Sequence, residues 1–247
     1  MAQHAPPARG ARLGRAAGAN GSVSTVSGVV LLLPGASRFS PGPVRPLARA
    51  LARAGGARGL VAHGVVHGDA PREEAAHWAA EEVVRRYGDV PVCLAGYGAG
   101  GRAALFAAGH AAVNSVLAMA PCLAESADDR SPEPVKQLAG RQVLIVHGTN
   151  DARSDPESSF RLAERAKKAN RSTCRFEVHS DGHGLREHRE EVVALGVDFV
   201  LGAMFSGPWS RPVVDALAAP PPLGLRMPLA SGFGRSPRGR SGPRARA

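Results

Sequence analysis

The stretch Leu94-Ala-Gly-Tyr-Gly-Ala-Gly-Gly-Arg-Ala-Ala-Leu105 decides how the rest of the chain is read. Its apolar lead-in predicts a strand over 90–95, and the small residues of 99–108 predict a helix. Between them, glycines at 96, 98, 100 and 101 supply the backbone freedom that a tight strand-to-helix turn demands. Gly96, Gly98 and Gly101 also satisfy G-x-G-x-x-G, the fingerprint of dinucleotide-binding oxidoreductases. That chemistry calls for an acid about 20 residues on to hold a ribose. The stretch from Val113 to Cys122 offers none.

Outward from this turn, β-rich runs alternate with amphipathic segments. Gly28-Val-Val-Leu-Leu-Leu33, Leu60–Val66, Ser115–Ala120, Gln142–His147 and Cys174–His179 read as further strands. The continuous apolar run of 28–33, stopped by Pro34-Gly35, is what a strand covered on both faces requires. Helices are expected at 44–54, 71–87, 156–169 and 185–205. The second of these opens at Pro71 with acids in its first turn and closes on arginines, as the helix dipole prefers. Asp155 before Pro156 is the expected cap of the third. The fold class is therefore α/β, with a mostly parallel sheet of about six strands and helices on both faces. Two strands precede the glycine turn, whereas the dinucleotide fingerprint belongs to the first βα turn of its domain.

The 247 residues carry a formal charge of +10, but the excess is local. Residues 28–205 hold 21 basic against 20 acidic side chains, so the basicity lies in 1–27 and 206–247. These flanks are rich in Pro, Gly, Ala and Arg and are expected to be disordered tails around one domain spanning 28–205. No specific nucleic-acid partner is expected from them. No apolar run reaches the roughly 18 residues of a membrane span. Three cysteines without a CxxC pair argue against a disulfide framework, and the reading is a cytoplasmic protein.

Four blocks resemble the α/β-hydrolase superfamily, in particular its small, lid-less, dienelactone-hydrolase-like bacterial members. Val30-Leu-Leu-Leu-Pro-Gly-Ala36 is similar to the oxyanion strand and loop. The glycine turn is similar to the nucleophile elbow G-x-S-x-G, with Gly98 where the serine should stand. Val143-Leu-Ile-Val-His-Gly-Thr-Asn-Asp151 is similar to the segment bearing the acid, and Asp181-Gly-His183-Gly to the histidine loop. The resemblance implies His183 as general base, Asp151 as its orienting acid, and the N–H groups of Ala99 and Ala36 as an oxyanion hole. Tyr97 and Cys122 are expected at the substrate pocket.

Glycine at 98 closes the acyl-serine route, leaving roughly 10³–10⁴-fold acceleration from the oxyanion hole and binding. Three functions remain open. One is hydrolysis of a small ester, thioester or lactone by water that His183 and Asp151 activate. Another is an inactive pseudo-hydrolase that binds a small molecule or a partner, and the third is the dinucleotide-binding oxidoreductase. The hydrolytic reading needs no cofactor and no metal: His179, Asp181, His183 and His188 fit no zinc spacing. His63 and His67, near a strand end with Asp69, are candidate pocket residues. Cys93 and Cys174 read as core. Cys122 is a substitute nucleophile only if a base activates it, and otherwise a small buried hydrophobe.

Overall fold

A computed structural model describes residues 10–18, 25–36, 42–123 and 133–235. In chain order it contains β1 (Arg12–Leu13), β2 (Ala17–Gly18), β3 (Gly28–Leu33), α1 (Val44–Gly55), β4 (Leu60–Val66) and α2 (Arg72–Tyr87). The centre follows with β5 (Val92–Tyr97), α3 (Ala99–Ala107), β6 (Val113–Met119) and β7 (Gln142–Gly148). The last third supplies α4 (Pro156–Ala169), β8 (Thr173–Val178), α5 (Arg189–Phe205), α6 (Arg211–Ala218) and β9 (Met227–Pro228). Asp155 caps α4 by accepting from the Glu157 N–H at 2.9 Å.

The strands form one sheet in the order β1-β4-β3-β5-β6-β7-β8-β9, with β2 also on β4. Pairing from β4 through β9 is parallel throughout, and β1 and β2 run antiparallel to β4. The chain passes from β3 to β4 on one side, then returns across β3 to β5 on the other. This reversal opens a crevice at the carboxyl ends of β3 and β5, where open α/β sheets bind ligands.

Alternation along each strand divides the core into two layers. Val29, Leu31, Leu33, Val92 and Leu94 face α2, α3 and α4, packing on residues such as Ala79, Ala104 and Leu162. Val30, Leu32, Cys93, Ala95 and Tyr97 face α1, α5 and α6, packing on Leu47, Leu195, Phe199 and Val213. The small residues of α3 permit a close approach to the sheet: a Cβ on Gly100 would collide with the carbonyl of Leu33.

The expectation of disordered flanks is corrected where the structure describes them. Residues 10–18 pair with β4, and the Gly14 N–H donates to Gly64 O at 2.7 Å. In 206–235, Val213, Ala216, Leu225 and Leu229 are buried. Their neighbouring carbonyls receive two buried cations. Lys167 Nζ donates to Thr173, Ala216 and Leu217 O, and Arg175 Nη1 to Leu225 O at 2.9 Å. A proline-rich composition therefore hides a few apolar side chains and carbonyls that the domain needs. Residues 1–9 and 236–247 lie outside the described residues.

Truncation after Phe205 removes the carbonyls of Ala216, Leu217 and Leu225 and the buried side chains of Val213, Ala216, Leu225 and Leu229, and exposes the apolar surface they cover. Burying a large apolar side chain is worth about 1.5–3 kcal/mol, so the melting midpoint should fall by roughly 10 °C or more. Calorimetry on the truncated and full chains checks this; an unchanged midpoint would contradict the packing role.

Candidate active site

The site is built from the ends of five adjacent strands. Ala36 follows β3, Gly98 follows β5, Cys122 follows β6, Asp151 follows β7 and His183 follows β8. Gly35, Ala36, Tyr97, Gly98, Ala99, Cys122, Arg153 and His183 line a cavity of about 130 Å³. Arg153 and His183 also line a second cavity of about 300 Å³ beside it, walled by the 181–187 loop.

Asp151 is the anchor. Its side chain is buried, and its Oδ2 accepts from His183 Nδ1 at 2.8 Å and from His147 Nε2 at 3.1 Å. Its Oδ1 accepts from the N–H groups of Arg153 at 2.8 Å and Ser154 at 3.1 Å. Burial alone would raise the carboxyl pKa, but the hydrogen bonds from His147, His183 and Arg153 overcome it and hold the group well below the usual carboxylate range. Asp151 is therefore a carboxylate at neutral pH.

His147 is a site residue that the sequence reading did not identify. It is fully buried, and its Nε2 faces two acceptors, Asp151 Oδ2 and Ser154 O, so that nitrogen carries the proton. Its Nδ1 lies 2.8 Å from Ser159 Oγ. The signal was present as a histidine inside an apolar strand, a position where an imidazole must be partnered.

With Nδ1 donating to Asp151, His183 presents Nε2 to the cavity. That nitrogen lies 3.4 Å from where a Cβ on Gly98 would stand. Gly98 itself adopts φ 57° and ψ −122°, a left-handed conformation that costs a side-chain-bearing residue on the order of 1–3 kcal/mol and glycine little. Gly98 therefore holds this sharp turn without strain. Gly96 is required as well, since a Cβ there would strike the Gly100 carbonyl.

Ala99 opens α3, so its N–H has no partner within the helix and lies at the positive end of the dipole. Ala99 and Ala36 both line the cavity, as an oxyanion hole requires. Tyr97 is buried, lines the cavity and sets its ring centroid 5.2 Å from that of His183. Cys122 is half-buried, with Sγ 3.9 Å from His183 Nε2. Cys93 and Cys174 lie in the core, where burial pushes both thiols up to about 12.

Other candidates take structural places. His63 is buried, with Nδ1 at 2.9 Å from Gly14 O and Nε2 at 2.7 Å from Tyr87 Oη, which removes it from the crevice. Asp181 accepts from the N–H groups of Gly182, Arg186, Glu187 and His188, folding the histidine loop. Among the described residues, the group with metal-ligand proximity is instead His77, Glu81 and His110 on the outer surface, their ligand atoms within 4.8 Å of one another.

No family model matches the chain, and no curated protein sequence does. Solved structures do. An esterase of Pyrococcus furiosus superposes with a TM-score of 0.60 at 14% identity, covering 72% of this chain and 82% of its own. The esterase Est2 of Thermogutta terrifontis, bound to propionate, gives 0.59 at 19% identity over 82% of this chain and 98% of its own. A Klebsiella pneumoniae protein described as a dienelactone hydrolase gives 0.52 at 18% identity, over 73% and 87%. The chain has the α/β-hydrolase fold. Within that fold, the glycine turn over Gly96, Gly98 and Gly101 occupies the elbow between β5 and α3. Among the described residues no helix is long and apolar enough to cross a membrane.

The hydrogen bond to Asp151 is the main cause that raises the His183 pKa from 6.5 to about 9, with the contact to Cys122 adding to it. A pKa raised on folding means that the pair stabilises the native state fully below about pH 6.5, and that this contribution is lost as pH rises through about 9. An NMR titration of the His183 ring should show that elevated midpoint. Asp151→Asn should bring it back towards the ordinary histidine value; an unmoved midpoint would refute the pairing.

Proposed function

We propose that this chain hydrolyses a small ester, thioester or lactone, with His183 as general base, Asp151 as its orienting acid, and the N–H groups of Ala36 and Ala99 as oxyanion donors. One observation carries this reading. His183 Nδ1 sits 2.8 Å from Asp151 while its Nε2 points into a cavity lined by both donors, over a turn that has kept its elbow conformation. A binding protein has no need of an imidazole held in one tautomer by a buried carboxylate. The esterases among the structural neighbours support acyl hydrolysis as the reaction class.

The chemistry follows from the geometry. A carbonyl oxygen placed between Ala36 and Ala99 develops negative charge as its carbon is attacked, and the two N–H groups stabilise that charge. His183 Nε2 accepts the proton of the attacking water, and Asp151 stabilises the imidazolium that forms. The proton then passes to the departing oxygen or sulfur. The cavity of about 130 Å³ suits a short acyl group, and the larger cavity past Arg153 would receive the leaving part.

Because the base must be neutral to accept a proton, kcat/KM on p-nitrophenyl acetate should climb with pH towards a plateau above about 9. His183→Ala should lower it on the order of 10²–10⁴-fold. Wild-type turnover indistinguishable from that variant would leave the pseudo-hydrolase reading instead.

Gly98→Ser tests the elbow directly. A Cβ there meets His183 Nε2 only at ordinary contact distance, 3.4 Å. The variant should therefore fold, less stable by about 1–3 kcal/mol, and acquire covalent labelling by a fluorophosphonate probe at residue 98. A folded variant that resists the probe would show that the oxyanion groups and the imidazole do not converge on that position.

A further inference from the structure

The serine-free elbow leaves the attack on the acyl carbon without a protein nucleophile, yet a sulfur stands beside it. Cys122 Sγ is 3.9 Å from His183 Nε2 and 3.6 Å from where a Cβ on Gly98 would be. Those three points form a near-equilateral triangle, so the thiol flanks the place a residue-98 side chain would fill. A bare Gly98 leaves the space between sulfur and imidazole open. The placement of Cys122 is fixed by main-chain bonds: its N–H donates to Gly98 O at 3.1 Å, tying the two strand ends together. Ala120 turns the chain through a left-handed φ of 42°, and the next carbonyl, Pro121 O, accepts from Ser154 Oγ at 2.7 Å in the acid loop. Among the three cysteines, Cys122 lines the cavity while Cys93 and Cys174 are sealed in the core.

We infer that Cys122 is the nucleophile of this site, relocated from the elbow to the end of β6, completing a Cys122–His183–Asp151 triad that hydrolyses small acyl substrates through an acyl-cysteine. The inference rests on the hydrolytic reading above, keeps its base, acid and oxyanion donors, and divides its single water attack into two half-reactions. His183 Nε2 removes the Sγ proton as the sulfur attacks the carbonyl carbon held at Ala36 and Ala99. The S–C bond forms, the bond to the leaving oxygen breaks, and the imidazolium returns its proton to that oxygen. In the second half, water attacks the thioester carbon. Its proton goes to His183 and then to the departing Sγ, restoring thiol and neutral imidazole. No oxidant, reductant or co-reactant besides water is consumed. Cysteine suits the relocation chemically, because a thiol ionises far more readily than a hydroxyl and tolerates a longer approach to its base.

The test compares the full-length wild type with Cys122→Ala, Cys122→Ser and His183→Ala, using p-nitrophenyl acetate with a rapid acid quench. The wild type should give a burst of nitrophenolate and one acetyl group on the peptide containing Cys122, by mass spectrometry. Cys122→Ala should lose the adduct and on the order of 10²-fold or more in turnover. Cys122→Ser should retain a weaker activity. Wild-type turnover in Cys122→Ala, with His183→Ala inactive, would overturn the relocated nucleophile and leave direct water attack standing. Absence of turnover in every form would overturn both readings.

Alkylation by iodoacetamide gives a readout free of turnover. Cys122 of the folded wild type should react at least tenfold faster than in His183→Ala, with Cys93 and Cys174 protected in both. Equal Cys122 rates would also overturn the inference.

Discussion

The Asp151–His183 hydrogen bond is the constraint on which the site depends. A histidine in a glycine-flanked loop has little packing to hold it, and its ring would otherwise sample many orientations. The carboxylate removes that freedom, and it can do so because it is itself immobilised. Four donors converge on it, two from imidazoles and two from the main chain. Replacing water around a buried carboxylate is costly unless every lone pair finds a donor, and here the folded loop provides them. His147 is thus part of the machinery at one remove. It sits in the core of β7, its far nitrogen lies beside Ser159 Oγ, and it completes the shell that keeps Asp151 charged.

Around that bond the backbone carries most of the remaining function. The proposed oxyanion donors are main-chain groups, the elbow is a main-chain conformation, and the close approach of α3 to β3 depends on Gly100 having no side chain. Features of this kind survive the loss of any one side chain, which is why a glycine at 98 leaves the site assembled. The trade at this residue favours stability, since glycine relaxes a conformation that a serine would hold under strain.

How far the sequence announced all this varied with the physics involved. The central strands were legible because β3 is apolar throughout and β5 to β7 hold the apolar runs that two-sided burial requires, whereas β8 carries Arg175 and Glu177. Their ends shifted by a residue or two, as with β5, which begins at Val92 and extends through Tyr97. Asp151, His183 and Gly98 were legible through their local contexts and their order along the chain. His147 was not, because its partners Asp151, Ser154 and Ser159 meet it only once β7 and α4 are packed. The C-terminal segment was misread for a different reason. Composition averages over a window, whereas order there comes from four buried side chains and from carbonyls aimed at Lys167 and Arg175. Those two cations look like ordinary surface charges in a sequence, and only the fold shows that they need the tail.

The sheet topology is compatible with the nucleophile inferred at Cys122. β3, β5, β6, β7 and β8 are neighbours or near neighbours, and parallel pairing brings all their carboxyl ends to one rim. Each end contributes one group at this rim: Ala36, Gly98, Cys122, Asp151 and His183 in that order. Adjacent parallel strands lie roughly 5 Å apart, so a side chain from the end of β6 reaches the same imidazole that the elbow of β5 faces. The Cys122 N–H to Gly98 O bond is that adjacency continued past the last sheet pair. An attacking atom on β6 is therefore within reach of the same proposed base, acid and oxyanion donors as one on β5 would be. Thiols ionise more readily than hydroxyls, so a sulfur 3.9 Å from the imidazole suits the inferred role better than a serine oxygen would.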